Sequence, residues 1–214
     1  MIWLKYLLIA VICYFLGNIS TGLLIGKLTA QIDIRQHGSG NAGTTNVMRT
    51  LGWVPSLLTL AGDVLKAVLA VVIGRAIAGE IGWIVGAVAV LLGHNWPVVF
   101  GFKGGKGMAC SLGIILATEP LFALIVLAVQ VLVLVITRYM SVASLTTSVL
   151  YPVLVICLHG SATPYVVFSI LAACLAIFCH RSNISRLIHH TENRLDFSKI
   201  KKFNRKKCRW PAFC

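Results

Sequence analysis

Charged side chains are scarce in this chain. Only 12% of its 214 residues are Asp, Glu, Lys or Arg, and just six are acids; a soluble domain carries about a quarter charged residues. Six carboxylates cannot clothe a water-soluble surface of this size. The alternation of apolar and polar residues that marks membrane β-strands is also missing, which excludes a barrel. The seven cysteines lack metal-ligand spacing. Most sit in apolar runs, where Cys behaves as a small hydrophobe, so neither a zinc site nor a disulfide framework follows. The first apolar run, 2–25, is too long for a signal-peptide core and lacks a cleavage site, so it is read as a retained first span.

What is present is hydrophobic sequence, 58% of the chain, in blocks of about 17–25 residues, each able to cross roughly 30 Å of hydrocarbon as a helix. The expected fold is an all-α polytopic membrane bundle. Its spans are expected at 2–25, 53–77, 81–100, 106–118, 121–137, 141–158 and 163–179. The apolar run 108–137 is too long for one crossing, since thirty residues make about 45 Å of helix. Glu119 and Pro120 near its middle favour a break: Pro removes a backbone donor, and a charge at mid-bilayer costs about 2.5–3.5 kcal/mol. With seven spans and the N-terminus outside, all of the 19 Lys and Arg residues except Lys5, Lys66 and Arg75 fall on the inner side or in the tail, as the positive-inside rule requires. The net charge of +13 then reads as cytoplasmic loops facing anionic headgroups, not as a nucleic-acid surface. Residues 1–207 form one expected domain; the tail 208–214 has no assigned role.

Three polar stretches interrupt the apolar sequence. The first runs from Asp33 to Arg49 and contains Gly38, Ser39, Gly40, Asn41 and Gly43, followed by Thr44, Thr45 and Asn46. A flexible run leading into a helix N-terminus makes an anion cradle, and Arg49, one turn inside, can fork onto a phosphate. Gly38, Gly40 and Gly43 match the dinucleotide fingerprint, with Asp63 at a suitable distance. That match fails, because the fingerprint needs a preceding strand and here a membrane span precedes it.

The second stretch, Gly93 to Gly107, holds His94 and the run Lys103-Gly104-Gly105-Lys106-Gly107. It is not a nucleotide-binding P-loop: the leading glycine position is Phe100, and Gly107 replaces the Ser or Thr that would ligate magnesium. What remains is glycine that admits close approach and lysine that supplies charge. His94, inside a span, is read as a hydrogen-bonded structural residue. The third stretch places His180, Asn183 and Arg186 three apart on one side of an expected continuing helix. Asp63 and Lys66 lie within the second span and are expected to pair there. Ser141 and Ser144 open the sixth span near the site.

Taken together, three strings carry a resemblance: Gly38-Ser-Gly-Asn-Ala-Gly-Thr-Thr-Asn-Val-Met-Arg49; Gly93-His-Asn-Trp-Pro97 followed by Phe102-Lys-Gly-Gly-Lys-Gly107; and His180-Arg-Ser-Asn-Ile-Ser-Arg-Leu187. In this order, over about 1–207, they resemble the bacterial acyl-phosphate-dependent glycerol-3-phosphate acyltransferases. The resemblance implies transfer of an acyl chain from acyl phosphate to the 1-hydroxyl of glycerol 3-phosphate, giving lysophosphatidic acid and phosphate, the first acylation of phospholipid synthesis. It implies a bacterial inner membrane, a cytoplasmic active site, no cofactor or metal, and a soluble acyl-phosphate synthase as partner. By the match, Ser39, His180 and Asn183 take catalytic places. Substrate contacts are expected from Gly38, Gly40, Asn41, Thr45, Asn46, Arg49, Lys103, Gly104, Gly105, Lys106, Ser141 and Arg186. Ser39, Thr45, Gly104 and Gly105 would hold the acyl-phosphate head. Arg49, Lys106, Ser141, His180 and Asn183 would hold glycerol 3-phosphate and order the attack. One departure stands near Glu192, where many members have Gly-Thr-Glu and this chain has His190-Thr191-Glu192.

Two other classes compete on residues alone: a transporter or channel for an anionic solute, and a non-catalytic membrane scaffold. No internal repeat is apparent and the polar groups gather on one face, which disfavours transport. Three anion-type motifs disfavour a scaffold. Reporter fusions at Glu119 test the topology: an outside location is expected, and an inside location would sink the seven-span reading.

Overall fold

In the computed structural model, which describes residues 1–160 and 164–197, the secondary structure is helical, with two short 3-10 turns. The helices are α1 (Ile2–Asn18), α2 (Thr21–Ala30), α3 (Thr44–Leu51), α4 (Trp53–Asn95), α5 (Met108–Thr118), α6 (Pro120–Thr137), α7 (Met140–His159), α8 (Pro164–Cys179) and α9 (Arg181–Ile188). Four helical runs are long and apolar enough to cross a membrane: Ile2–Ala30, Trp53–Phe100, Pro120–Thr137 and Met140–His159. α8 with α9 makes a further, bent candidate, and α5 is a shorter apolar helix. The chain is a multi-span helical membrane protein.

Expected and observed spans differ where the chain breaks. The first apolar run is interrupted at Ile19 and Ser20, both extended, which separates α1 from α2. α4 is continuous only in name. Forty-three residues would make about 65 Å of straight helix, twice the hydrocarbon thickness. Ala78 and Gly79 leave helical geometry, and Gly79 takes φ 62, a left-handed value that glycine adopts without penalty. The two arms then fold back on each other. A Cβ on Gly74 would lie 2.2 Å from the Gly82 carbonyl, and one on Gly86 would lie 2.5 Å from the Ala70 carbonyl. Bare backbones meeting this closely are how helices associate in lipid, where no hydrophobic force separates helix from solvent. The second arm packs its other side on α1, with Gly93 against the Tyr14 carbonyl and Gly17 against the Val90 carbonyl.

The core sits between these arms and α1, α5 and α8, around Ile9, Cys13, Trp83, Ile114 and Phe168. Large apolar residues such as Leu121, Leu124, Leu132 and Ile136 of α6 face outwards, as a lipid-facing helix should. The break expected at Thr118-Glu119-Pro120 is present. Thr118 ends α5, and Pro120 opens α6 at the one position where its missing N–H costs nothing. The third polar stretch does not continue α8 straight. The chain bends by 57° at His180 before α9, which turns Asn183 and Arg186 towards the bundle. The tail beyond Phe197, with its 208–214 segment, lies outside the described residues.

The hairpin contact gives a stability test. Gly74→Leu forces two backbones apart, and overpacking of this kind costs about 1–3 kcal/mol or more. A clear drop in thermal midpoint in detergent is expected. Gly101→Asn, at a left-handed position (φ 65) with nothing within 4 Å of a Cβ, should leave the midpoint nearly unchanged.

Candidate active site

The first polar stretch is held by one amide. Asn46 Nδ2 donates to the carbonyls of Ile34, His37 and Asn41, each at 2.9 Å, and Ser39 N donates to its Oδ1 at 2.8 Å. Asn46 therefore folds the glycine-rich run around itself. Gly38 and Gly40 take φ 60 and 73 so that the run can turn; a Cβ on Gly38 would meet Asn46 Oδ1 at 2.2 Å. Arg35 fastens this stretch to the second. Its Nη1 donates to the Phe100 carbonyl at 3.0 Å, while Asp33 grips the guanidinium at 2.8 Å. Hydrogen bonds from Arg35 hold the Asp33 carboxyl below its usual range.

The second stretch lies across the end of α4. Gly104 N donates to the Asn95 carbonyl at 3.2 Å and Gly105 N to the His94 carbonyl at 3.0 Å. These N–H groups are spent on carbonyls that α4 leaves open. The next residues, Lys106 to Ala109, line the cavity at the start of α5, where the first N–H groups of a helix lack intrahelical partners.

The third stretch closes the arrangement. Lys106 Nζ donates to Asn183 Oδ1. Asn183 Nδ2 donates to Glu192 Oε1 at 2.6 Å, and Arg186 Nε donates to Glu192 Oε2 at 2.7 Å. The strand of chain after α9 crosses the mouth. Arg49 Nη2 holds the Asn193 carbonyl at 3.1 Å, and Leu195 N donates to the Arg138 carbonyl at 2.7 Å. His190 opens that crossing at φ 56, which explains why a glycine pattern belongs there; His is among the residues that tolerate this region.

These elements enclose a cavity of about 410 Å³. Ser39, Asn41, Thr45, Asn46, Arg49, Lys106, Ser141, His180, Asn183 and Arg186 all line it. Gly105 lines a smaller neighbouring hollow of about 200 Å³ on the far side of Lys106, together with Asn41 and Arg181. Gly38, Gly40, Lys103 and Gly104 line neither hollow; the three glycines shape the loops, and the Lys103 side chain is exposed. From its polar head the cavity continues as an apolar groove between Leu57, Leu60, Leu112, Ile115, Leu127 and Leu134. The Thr44 hydroxyl, at the head of α3, is buried on the cavity wall and has no hydrogen-bond partner among the described residues.

Sequence reasoning missed Glu192 as the centre of the cluster. An acid in a basic tail gives little signal, and its partners are only six and nine residues upstream across a turn. It also missed that His94 joins Asp63 and Lys66 in one buried group. The Asp63, His94 and Cys110 ligand atoms lie within 4.8 Å of one another, a metal-like set. Lys66 Nζ stands among them, 2.7 Å from Asp63 Oδ1 and 2.9 Å from His94 Nδ1, so an ammonium already fills the cation position.

Electrostatically the polar head is a cation nest with one internal anion. Burial pushes the Lys106 ammonium down to about 8, with Arg186 and Arg49 adding repulsion. Burial also lowers the His180 imidazole to about 4, against the hydrogen bond that its Nδ1 makes to the Ala176 carbonyl at 2.8 Å. Burial opposes the Glu192 charge, but hydrogen bonds from Asn183 and Arg186 hold its carboxyl below the usual range.

A membrane-embedded bundle with a cationic head opening into an apolar groove is the architecture of a lipid-handling enzyme. The family model described as glycerol-3-phosphate acyltransferase matches residues 7–190, and the chain belongs to this family. A glycerol-3-phosphate acyltransferase of Thermoanaerobacter pseudethanolicus (strain ATCC 33223 / 39E) is 47% identical over 188 residues, covering 88% of this chain and 94% of the relative. One of Clostridioides difficile (strain 630) is 44% identical over 197 residues, covering 89% and 96%. The fold is similar to crystal structures of PlsY (YgiH), an integral membrane glycerol 3-phosphate acyltransferase. Its glycerol 3-phosphate form superposes with a TM-score of 0.85 at 34% identity, covering 91% of this chain and 98% of that one. Its lysophosphatidic acid form gives 0.81 at 33%, covering 91% and 97%.

Lys106 sets a pH test. Below about pH 8 it is charged, and as pH rises through 8 the charge is lost. Affinity for a phosphate monoester, measured by calorimetry, should therefore fall above that pH, by about tenfold if one charge-assisted hydrogen bond is lost. Lys106→Arg keeps its charge and should bind with a flat profile between about pH 7 and pH 9.5.

Proposed function

We propose that this chain transfers an acyl chain from acyl phosphate to the 1-hydroxyl of glycerol 3-phosphate, releasing lysophosphatidic acid and inorganic phosphate. The observation that carries the reading is the cavity itself: one cation nest, fed by two polar loops, continuing into an apolar groove. A substrate with a phosphate head and a fatty chain needs both parts. A second, small polyol phosphate needs the remaining cations.

On this reading the acyl-phosphate head lies against Ser39, Thr45, Lys106 and the start of α5, with Gly104 and Gly105 as its supporting floor and the acyl chain in the groove. Glycerol 3-phosphate lies between Arg49, Lys106, Ser141, Asn183 and His180, with Arg186 acting through Glu192. The hydroxyl oxygen attacks the acyl carbonyl carbon. The carbonyl–phosphate C–O bond breaks, and phosphate departs with the electron pair. Acyl phosphate is a mixed anhydride with a good leaving group, so no enzyme nucleophile is needed. Orientation and electrostatic stabilisation of the developing negative charge supply the acceleration.

The hydroxyl proton needs an acceptor. His180 gives its Nδ1–H to the Ala176 carbonyl, which leaves the Nε2 lone pair to receive a hydrogen bond and orient the hydroxyl. At about 4 the imidazole is a weak base. A phosphate oxygen, with a second pKa near about 6, is the stronger terminal acceptor, and the proton leaves on phosphate.

Seven crossings of the bacterial inner membrane, with the N-terminus outside and this site facing the cytoplasm, complete the proposal. Residues 1–207 act as one domain, and a soluble synthase supplies acyl phosphate.

The test uses purified protein in detergent with palmitoyl phosphate and glycerol 3-phosphate, measuring lysophosphatidate and phosphate. Stoichiometric release of both is expected, and none from palmitoyl-CoA. Product in detergent excludes transport as the activity, and product from the CoA ester alone overturns the donor assignment. Arg49→Ala and Lys106→Ala should each lose about 100-fold or more. His180→Gln should raise KM for glycerol 3-phosphate while kcat stays within about tenfold. A larger loss, of the about 10²–10⁴-fold that general bases contribute, would make His180 the base.

A further inference from the structure

The buried side chains of Lys66, Asp63 and His94 take no part in the steps above. They are only 4%, 2% and 6% exposed. Lys66 Nζ has four polar neighbours: the Ile19 carbonyl at 2.7 Å, the Gly17 carbonyl at 3.2 Å, Asp63 Oδ1 at 2.7 Å and His94 Nδ1 at 2.9 Å. Asp63 Oδ1 also accepts from Thr21 Oγ1 at 2.7 Å and lies 3.4 Å from His94 Nδ1. Nδ1 is held between Lys66 Nζ and Asp63 Oδ1, and these two contacts fix the plane of the ring.

The other end of the ring reaches the glycine loop. A Cβ built on Gly105 would fall 2.1 Å from His94 Nε2, 2.8 Å from Cε1 and 3.0 Å from Cδ2. These distances put Gly105 directly on the tip of the imidazole. Gly104 is equally tight against the backbone beneath, 2.0 Å from the His94 carbonyl by the same measure. One residue further on, Lys106 turns into the cavity and donates to Asn183. A continuous path of contacts therefore runs from the α1–α2 break through Lys66 and His94 to the loop that carries Lys106.

We propose that Lys66 and His94 are positioning residues for the acyl-phosphate side of the reaction. The ammonium aligns the imidazole, and the imidazole sets the height of the Gly104–Lys106 backbone above α4. His94 reaches the cavity wall, but its outward nitrogen packs on Gly105, so its role on this account is to hold the loop. The proposal rests on the assignment of this loop to acyl phosphate, and its test separates the two.

The first arm is a double-mutant cycle on His94 and Gly105, read as kcat/KM for palmitoyl phosphate. Gly105→Ala drives a methyl into the ring and should cost about 100-fold, as misplacement of a reacting group by an ångström does. His94→Ala removes the support and should cost about tenfold or more by the same principle. The double variant should be no worse than His94→Ala alone, because the methyl then has room. Losses that simply multiply would overturn the proposal, since independent sites add in free energy.

The second arm uses Asp63→Asn with Lys66→Met, which removes both charges and so avoids stranding a lone buried one. KM for palmitoyl phosphate should rise about tenfold or more while KM for glycerol 3-phosphate changes less than about twofold. Gly74→Leu, which loosens the far end of the α4 hairpin, should lower the thermal midpoint and leave both KM values alone. Equal changes in the two KM values would mean a purely structural role and overturn the proposal.

The third arm needs no turnover. Hydrogen exchange of the Gly104 and Gly105 amides should quicken in the neutral pair relative to wild type; unchanged protection overturns the positioning claim. A wild-type protein inactive with palmitoyl phosphate would sink the functional reading, and the exchange result would still decide this one.

Discussion

The Lys66 ammonium bonds to the carbonyls of Gly17 and Ile19, and much of the architecture depends on that contact. A helix that breaks inside lipid exposes carbonyls that no water can satisfy. The first apolar run breaks there, and the cation of Lys66 satisfies what the break leaves open. Asp63 neutralises the cation, and Thr21 at the head of α2 holds Asp63. Removing either charge alone would strand its partner in a dry interior, where an uncompensated charge is costly. The same accounting operates at the end of α4. Its last open carbonyls are taken by the N–H groups of Gly104 and Gly105, so a helix end is closed by the loop that reaches the cavity.

The polar head follows the same logic with substrate-sized space. Arg49, Lys106 and Arg186 bring three cations to one cavity, and Glu192 supplies one fixed anion among them. The carboxylate keeps Asn183 and Arg186 oriented, so the cations do not scatter to solvent by mutual repulsion. The leftover positive charge suits a phosphate. The low basicity of His180 and its Nδ1–H bond to Ala176 leave that ring a hydrogen-bond acceptor. Close glycine contacts, such as Gly74 on Gly82, bring the arms of α4 together and keep the site on a rigid base.

How much was legible beforehand depends on the range of the interaction. The break at Pro120 is local: a proline and a neighbouring charge announce it. The start of α3 at Thr44 is equally local. The bend at His180 is not, because the apolar pattern runs smoothly into a helix-compatible sequence and only packing turns α9 by 57°. Asn46 reads as a substrate contact in a string of polar residues, yet it spends its amide on three loop carbonyls. Gly104 and Gly105 read as glycines that admit close approach of a phosphate, and their amides also close α4. In each case competition among hydrogen-bond partners, which the sequence does not display, assigns the bond.

Composition and block length by themselves determined a membrane-spanning helical bundle, because lipid permits few ways of satisfying a backbone. The ordered polar strings determined the family, and Arg49, Lys106 and Arg186, the cations that line the cavity, are in them. Tertiary structure alone decided that Glu192 sits among the cations and that Lys66 reaches both a broken helix and His94. It also decided that His94 carries Gly105 on its ring. Those contacts join residues 28, 47 and 11 positions apart in the cases of Lys66 with His94, Lys66 with Ile19, and His94 with Gly105. No local periodicity encodes such separations. They arise when apolar helices pack, and the few polar groups trapped between them have only one another as partners.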